Sequence, residues 1–593
     1  GAGGGWTVAD GDETPCFLPH HMIGGWRRAK GCDIFDFDWR SAAPTELIEL
    51  LNNRWWQNIY PSRSTLPAHI LRRPSKTGNL MTNLNLCKSA LRSAVFLGLG
   101  LFTFSSIRAT EKSLETSRPN IVFILADDMG YGDVQVLNPE RGKIKTPHMD
   151  RLAAEGMVFT DAHTSSSVCT PTRYGLLTGR YNWRSSLQSG VTWGYSPPII
   201  PTGRMTVAGM LRQEGYKTAL FGKWHLGLHI PTVDVKETPR RGLSNVDWKG
   251  RITGGPVDLG FDTFFGISAS LDMTPYIYIQ DDRFVGEGTV EKEFHPGRDG
   301  AAAPDFEAID VLVDVGEKSV EYILQQDASQ PFFTYIPLAS PHTPILPTPA
   351  WQGKSGLGPY ADFMMQTDAV IGQILQALED ADLADNTLVI VSSDNGCSPQ
   401  AKFDDLNAQG HFPSAQFRGS KADLWDGGHR VPFIVRWPGQ VKPGALNDAL
   451  ICLTDFMATS AEIVGAELPG NVGEDSVSFL PALKGQEIVT ERKGIIHHSI
   501  SGHFAYREGK WKLLLAKSSG GWTAPREQAM SETDPKAQLY DMEADPGETT
   551  NLYEKHPKVA SRLLAQLTAY VKNGRSTDGP PARNDVATIK IWK

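Results

Sequence analysis

The sequence predicts an α/β protein: a large mixed, mostly parallel sheet flanked by helices, followed by a smaller C-terminal α+β domain containing an antiparallel sheet. Three observations predict it. Short, mainly apolar runs such as Asn120–Ala126, Phe332–Pro337 and 387–392 have the character of strands buried on both faces. Helical patterns alternate with these runs. From about Gly494 the pattern changes to short alternating segments around tight turns.

In chain order, Asn120–Ala126 is the first strand and ends at Asp127-Asp128. A helix over 149–155 closes at Gly156, and a strand covers 157–162. A helix starts at Pro171, whose fixed φ suits a first helical position. Another helix spans 206–214, and the strand 217–221 leads into Gly222-Lys223-Trp224-His225. Then come the strand Phe332–Pro337, a helix over 360–381, and the strand 387–392 running up to Asp394-Asn395. Functional side chains of an alternating α/β sheet gather at the carboxyl ends of its strands. In the C-terminal part, Phe504–Glu508 and 510–515 flank Gly509 as a hairpin, 538–542 is a further strand and 557–572 an amphipathic helix. The Gly-rich polar stretches 234–255 and 281–304 are expected to form long loops over the site. No internal repeat stands out.

At 593 residues the chain is too long for one ordinary core. The domain boundaries read from it are 119–490 for the main domain and 491–593 for the C-terminal one. Residues 1–80 are Trp- and Gly-rich without periodicity and are expected to lie outside the mature protein. Residues 81–109 carry Lys88 and Arg92, an apolar run from Ala94 to Phe104 and a small-residue end at Ala109. That is the pattern of a secretory signal peptide, too short to span a membrane well, and it implies a secreted or periplasmic protein. Residues 110–118 are a polar linker. A net charge of −9 offers no basic face for nucleic acid, so any anionic substrate must be met by local cations. The six Cys have no paired spacing, and neither a disulfide framework nor a zinc pattern is present. Cys169, Cys397 and Cys452 fall in the folded body.

The most informative segment is Cys169-Thr170-Pro171-Thr172-Arg173, followed by Leu177-Thr178-Gly179-Arg180. A helix start presents unpaired N–H groups and partial positive charge, which suits an anion. Asp127-Asp128 and Asp394-Asn395 offer three carboxylates and an amide oxygen, hard ligands for Ca²⁺ or Mg²⁺. Lys223 and His225, two apart on an extended segment, point to one side. His342 stands in Ser340-Pro341-His342-Thr343-Pro344 after a strand, and Lys421 in Arg418-Gly419-Ser420-Lys421 before Asp426-Gly427-Gly428-His429-Arg430-Val431-Pro432.

Together these motifs resemble, in order, those of the type I sulfatases of the alkaline phosphatase superfamily, with Asp426 where Glu is usual. The resemblance implies an alkaline phosphatase-like fold and the arylsulfatase type of sulfuric ester hydrolysis. It implies that Cys169 is oxidised to formylglycine by a maturation enzyme, and that one Ca²⁺ is held by Asp127, Asp128, Asp394, Asn395 and the modified Cys169. The catalytic set it implies is Cys169, Arg173, Lys223, His225, His342 and Lys421. Within it Asp394 accepts the attacking proton, His342 with Lys421 protonates the leaving alcohol, and His225 takes the proton that releases sulfate. The substrate implied is a sulfated carbohydrate or aryl sulfate, nearer the galactose- or N-acetylgalactosamine-6-sulfate type than lipid sulfates. The aromatic stretch from Tyr181 and Trp183 to Trp193 and Tyr195 is either a sugar-stacking wall or core. The competing readings are a formylglycine-dependent phosphodiesterase or phosphonate monoester hydrolase on the same fold, and a silent sulfated-glycan binder.

Overall fold

The computed structural model describes residues 118–593 apart from 235 and 237. The expected extension 1–80, the signal segment 81–109 and residues 110–117 of the linker lie outside the described residues. A ten-stranded sheet runs from edge to edge through Ala445–Asn447, Met157–Phe159, Phe433–Arg436, Thr387–Ser393, Asn120–Ala126, Phe332–Pro337, Lys217–Lys223, Thr263–Ile267, Ile279–Gln280 and Arg283–Phe284. Its five central strands, Thr387–Ser393 to Thr263–Ile267, are mutually parallel. The next strand on either side is joined antiparallel, and the edge strand Ala445–Asn447 runs parallel to Met157–Phe159. Every residue of Asn120–Ala126 and Thr387–Ser393 is buried, which requires helices on both faces. One helix group is Pro147–Glu155, Val311–Leu324 and Pro359–Asp380; the other is Cys169–Thr178, Val207–Gln213 and Phe456–Val464.

Three sequence expectations are corrected. The helix expected from Pro171 starts two residues earlier: it spans Cys169–Thr178, with Val168 as its N-cap and Gly179 in the left-handed conformation behind it. Pro171 is tolerated at the third helical position because that N–H has no helical partner either. The single strand expected over 157–162 is two, Met157–Phe159 in the main sheet and Ala162–His163 paired with Ile451–Cys452. The loop expected over 281–304 contains Arg283–Phe284, Val290–Lys292 and Gly300–Ala302, so part of it is sheet.

The C-terminal sheet is antiparallel in sequence order, Ile495–His498, Phe504–Glu508, Trp511–Leu514 and Gln538–Asp541. Gly509 turns its central hairpin at φ 54°, a backbone region that costs glycine nothing. Helix Pro557–Asn573 covers one face, burying Leu563 and Leu567 with Phe504, Tyr506 and Leu513. Leu424 and Trp425 of the main body pack against Ala505, Leu514 and Tyr540.

A buried ionic knot ties this sheet to the body. Lys512 Nζ, fully buried, donates to Asp426 Oδ1 at 2.7 Å and to Glu548 Oε1 at 2.8 Å. Burial pushes Glu548 up to about 7, with Lys512 pulling against it. Removing the cation leaves two carboxylates facing each other without water. Lys512→Met is therefore expected to lower the free energy of unfolding by about 3–5 kcal/mol. Lys510→Met, on the same hairpin but paired with Asp541 at the surface, is expected to cost far less, because solvent screens an exposed pair. Urea unfolding of the two variants measures the difference; equal losses would remove the knot's assigned role.

Candidate active site

The carboxyl ends of four adjacent parallel strands converge on one buried cluster. Asn120–Ala126 delivers Asp127 and Asp128, Thr387–Ser393 delivers Asp394 and Asn395, Phe332–Pro337 leads to His342, and Lys217–Lys223 ends on Lys223 itself. Asp128 holds φ 67° and His225 φ 56°. Left-handed backbone on non-glycine residues is concentrated where a site demands it. The expectation that Lys223 and His225 share one side through an extended strand is corrected here. The strand stops at Lys223, and the left-handed turn at His225 keeps its ring in the field of Lys223 and Arg173.

Salt bridges cross-link the cluster. Arg173, fully buried, donates Nε and Nη2 to Asp394 Oδ2 at 2.9 and 2.7 Å, and Nη1 to the Lys223 carbonyl at 3.1 Å. Lys223 Nζ pairs with Asp127 and Lys421 Nζ with Asp128. Asn395 Nδ2 donates to Asp128 Oδ1 at 2.7 Å. Three buried oxygens, Asp127 Oδ1, Asp128 Oδ2 and Asn395 Oδ1, have no hydrogen-bond partner. A lone pair buried without a partner is costly, and three hard oxygens together fit a divalent cation. Asp127, Asp128 and His342 also bring ligand atoms within 4.8 Å of one another. Burial opposes the charge on Asp127, but Lys223, His342 and Arg173 hold it well below the usual carboxylate range. Burial and the Asp127 charge push Asp394 up to about 6.

Cys169 is the first residue of its helix, so the helix's partial positive end lies at the thiol. It lines a cavity of about 360 Å³ together with His342, Lys421, Trp193, Arg298 and Trp522. Burial pushes its thiol up, so the unmodified group stays protonated and is a poor nucleophile. Cys169, Cys397 and Cys452 are all free and buried.

The two histidines have fixed tautomers. His225 Nε2 donates to the Thr192 carbonyl at 2.7 Å, which leaves Nδ1 with the lone pair and no partner. Burial, then Lys223 and Arg173, hold His225 well below the usual imidazole range. His342 Nδ1 donates to the Thr343 carbonyl at 2.6 Å, which leaves Nε2, 3.8 Å from Asp128 Oδ2, turned to the cluster.

All ten residues singled out from the sequence are brought together. The aromatic stretch divides. Tyr181 and Trp183 stack on each other inside the C-terminal core, so of the two alternatives they take the core one, whereas Trp193 lines the cavity. Sequence reasoning missed Asp272, Arg298, Gln400 and Trp522 as lining residues; Trp522 had one signal, an indole behind Gly520-Gly521. It also missed a buried trio, His163, His429 and His497. The His429 and His497 rings stack at 3.7 Å, so their in-plane lone pairs run parallel and do not converge on one ion.

The sulfatase family model matches residues 119–466, and the model of the N-sulphoglucosamine sulphohydrolase C-terminal region matches 420–574. The chain is 33% identical to an N-acetylgalactosamine-6-O-sulfatase of Bacteroides thetaiotaomicron, covering 80% of this chain and 97% of that one. It is 31% identical to arylsulfatase A of Homo sapiens, covering 76% and 86%. A solved sulfatase structure from work on glycosaminoglycan metabolism by Bacteroides thetaiotaomicron superposes with a TM-score of 0.67 at 32% identity, covering 76% of this chain and 99% of that one. The chain belongs to the sulfatase family and has its alkaline phosphatase-like fold. It is a hydrolase of sulfuric ester bonds. Among the described residues no helix is long and apolar enough to cross a membrane.

Proposed function

We propose that the protein removes a 6-sulfate from a galacto-configured, N-acetylated sugar in a sulfated glycan, with Cys169 matured to formylglycine and Ca²⁺ bound beside it. The observation that carries the chemistry is the set of three partnerless buried oxygens beside Cys169 and two lysines. The observation that supports the substrate is the extent of likeness to the N-acetylgalactosamine-6-O-sulfatase.

Asp127, Asp128, Asp394 and Asn395 would hold the calcium, with the modified Cys169. Calcium supplies Lewis-acid polarisation of a sulfate oxygen. Once formed from Cys169, the formylglycine hydrate would supply two geminal hydroxyls, one as nucleophile toward sulfur and one to release sulfate. Lys223, Lys421 and Arg173 fix positive charge around the sulfuryl oxygens, preorganised by the pairs described above. Asp394 is the proton acceptor for the attack. His342 Nε2 delivers a proton to the departing alcohol oxygen, with Lys421 beside it. His225 Nδ1, a buried nitrogen whose lone pair has no competing partner, takes the proton whose loss releases sulfate. The maturation enzyme is a required partner. The signal-like segment 81–109 supports secreted or periplasmic action, and 119–490 and 491–593 are the proposed domains.

Protonation of the leaving group matters most when that group is a poor one. His342→Ala is therefore expected to reduce kcat on N-acetylgalactosamine 6-sulfate by about 10²–10⁴-fold. Its effect on 4-nitrophenyl sulfate, whose phenolate leaves unaided, is expected to be at least about tenfold smaller. Equal losses on both substrates would remove the general-acid role from His342.

A further inference from the structure

Trp193 is the wall between two cavities. On one side it faces the Cys169 cavity of about 360 Å³. On the other it lines a second cavity of about 470 Å³ with Tyr195, Ser196, Lys236, Thr238 and Arg240. Two guanidinium groups lie against the indole: Arg298 Cζ at 4.8 Å from the ring centroid and Arg240 Cζ at 4.9 Å. Their electrostatic situations differ. Arg298 lines the Cys169 cavity and is neutralised by Asp272, Nη1 to Oδ2 at 2.9 Å. Arg240 is exposed and has no carboxylate partner among the described residues. Lys236 pairs with Asp234 at 3.8 Å, and among the described residues no carboxylate lines the second cavity.

The opposite flank has a different charge. Beyond Trp522, a cavity of about 640 Å³ is lined by Lys402 with Asp404 and Asp405. Among the described residues, the lining on the Trp193 side is therefore the more favourable one for an acidic glycan. This local bias matters because the net charge of −9 repels a polyanion. Trp193 is also held in register with the chemistry. Its N–H donates to Ser196 Oγ at 2.8 Å. The preceding Thr192 accepts from His225 Nε2 and donates its hydroxyl to the His225 carbonyl at 2.9 Å.

We propose that the basin formed by Trp193, Arg240 and Lys236 is a subsite for the sugar next to the sulfated one, and that it selects a neighbour bearing a second anionic group. The indole offers an apolar face to the sugar ring, and a guanidinium resting on an indole keeps its edge N–H donors free for a carboxylate or sulfate. This rests on the sulfate-ester reading of the Cys169 cavity and adds the substrate's second charge to it.

The test uses the matured full-length enzyme and four substrates. They are 4-nitrophenyl sulfate, a 6-sulfated disaccharide with a uronate neighbour, its carboxyl-reduced form, and that reduced form carrying a sulfate on the neighbour. The wild type is expected to show a kcat/KM about tenfold higher for an anionic neighbour than for the reduced form, declining as salt is added. The uronate and sulfate arms tell which anion is preferred. Arg240→Ala is expected to bring that ratio close to one, mainly through KM, and Arg240→Lys to retain part of it. The proposal is overturned if the wild type does not distinguish the charged from the reduced neighbour. It is equally overturned if Arg240→Ala lowers turnover of the reduced disaccharide and the aryl sulfate as much as that of the charged one. Absence of wild-type turnover on every sulfate ester would instead overturn the underlying reading of the site.

Discussion

Cys169→Ala is expected to abolish sulfate-ester hydrolysis, with kcat falling by about 10⁵-fold or more, the scale seen when a nucleophile is deleted from a unit that acts together. The expectation follows from where the residue sits. Cys169 opens a helix at the floor of the cavity, and Lys223 and Lys421 act on its sulfur from the two aspartate pairs. Lys421, the lysine that lines the cavity, is held charged by Asp128 and does not attack in its place. The variant removes a small side chain from a helix end, so folding is expected to survive. Cys169→Ser is the finer probe, because a single hydroxyl can attack sulfur but has no geminal partner to expel sulfate. It is expected to accumulate a sulfated protein or to be inactive. Turnover of either variant at the wild-type rate would show that another group attacks.

Chelation has the second largest expected effect. Treatment with a calcium chelator is expected to lower kcat/KM by about 10³-fold, since Lewis-acid stabilisation of several kcal/mol is lost. Added Ca²⁺ is expected to restore it. The physical basis is the set of orphaned oxygens on Asp127, Asp128 and Asn395. The lysines balance the charge of these carboxylates, Lys223 at Asp127 and Lys421 at Asp128, and leave those oxygens free to bind a cation. Binding to the folded state alone also raises stability, by about 2.7 kcal/mol at a hundredfold excess over Kd. The melting temperature is therefore expected to rise with Ca²⁺ in the wild type and in Cys169→Ala, and to rise much less in Asp128→Ala. A Ca²⁺-independent melting temperature together with chelator-resistant activity would remove the metal from the account.

Much of this site is legible in the sequence because its residues sit directly after buried strands, and buried strands announce themselves as apolar runs. Asp127-Asp128, Lys223, His342 and Asp394-Asn395 are all read in that way. The helix carrying Cys169 is legible in kind but not in its start. Pro171 is a strong helix-opening signal, and the tertiary contacts of Cys169 and Thr170 extend the helix past it. His225 reaches the site through a left-handed residue, a conformation that spacing arguments cannot supply. The aromatic stretch is ambiguous for a reason of chemistry: an indole that packs a core and one that meets a sugar ring are the same residue. Trp183 went to the C-terminal core and Trp193 to the cavity because the chain turns between them. Arg298 and Trp522 come from distant loops, and only the fold brings them to Cys169.

The central claim is that Cys169 is the precursor of the working group. The mass of the tryptic peptide carrying Cys169, taken from active enzyme, tests it most directly. Conversion to formylglycine exchanges the elements of hydrogen sulfide for oxygen, so the account predicts a lighter peptide that reacts with an aldehyde reagent and no longer with a thiol reagent. A fully active preparation whose peptide keeps the unmodified cysteine mass would contradict it.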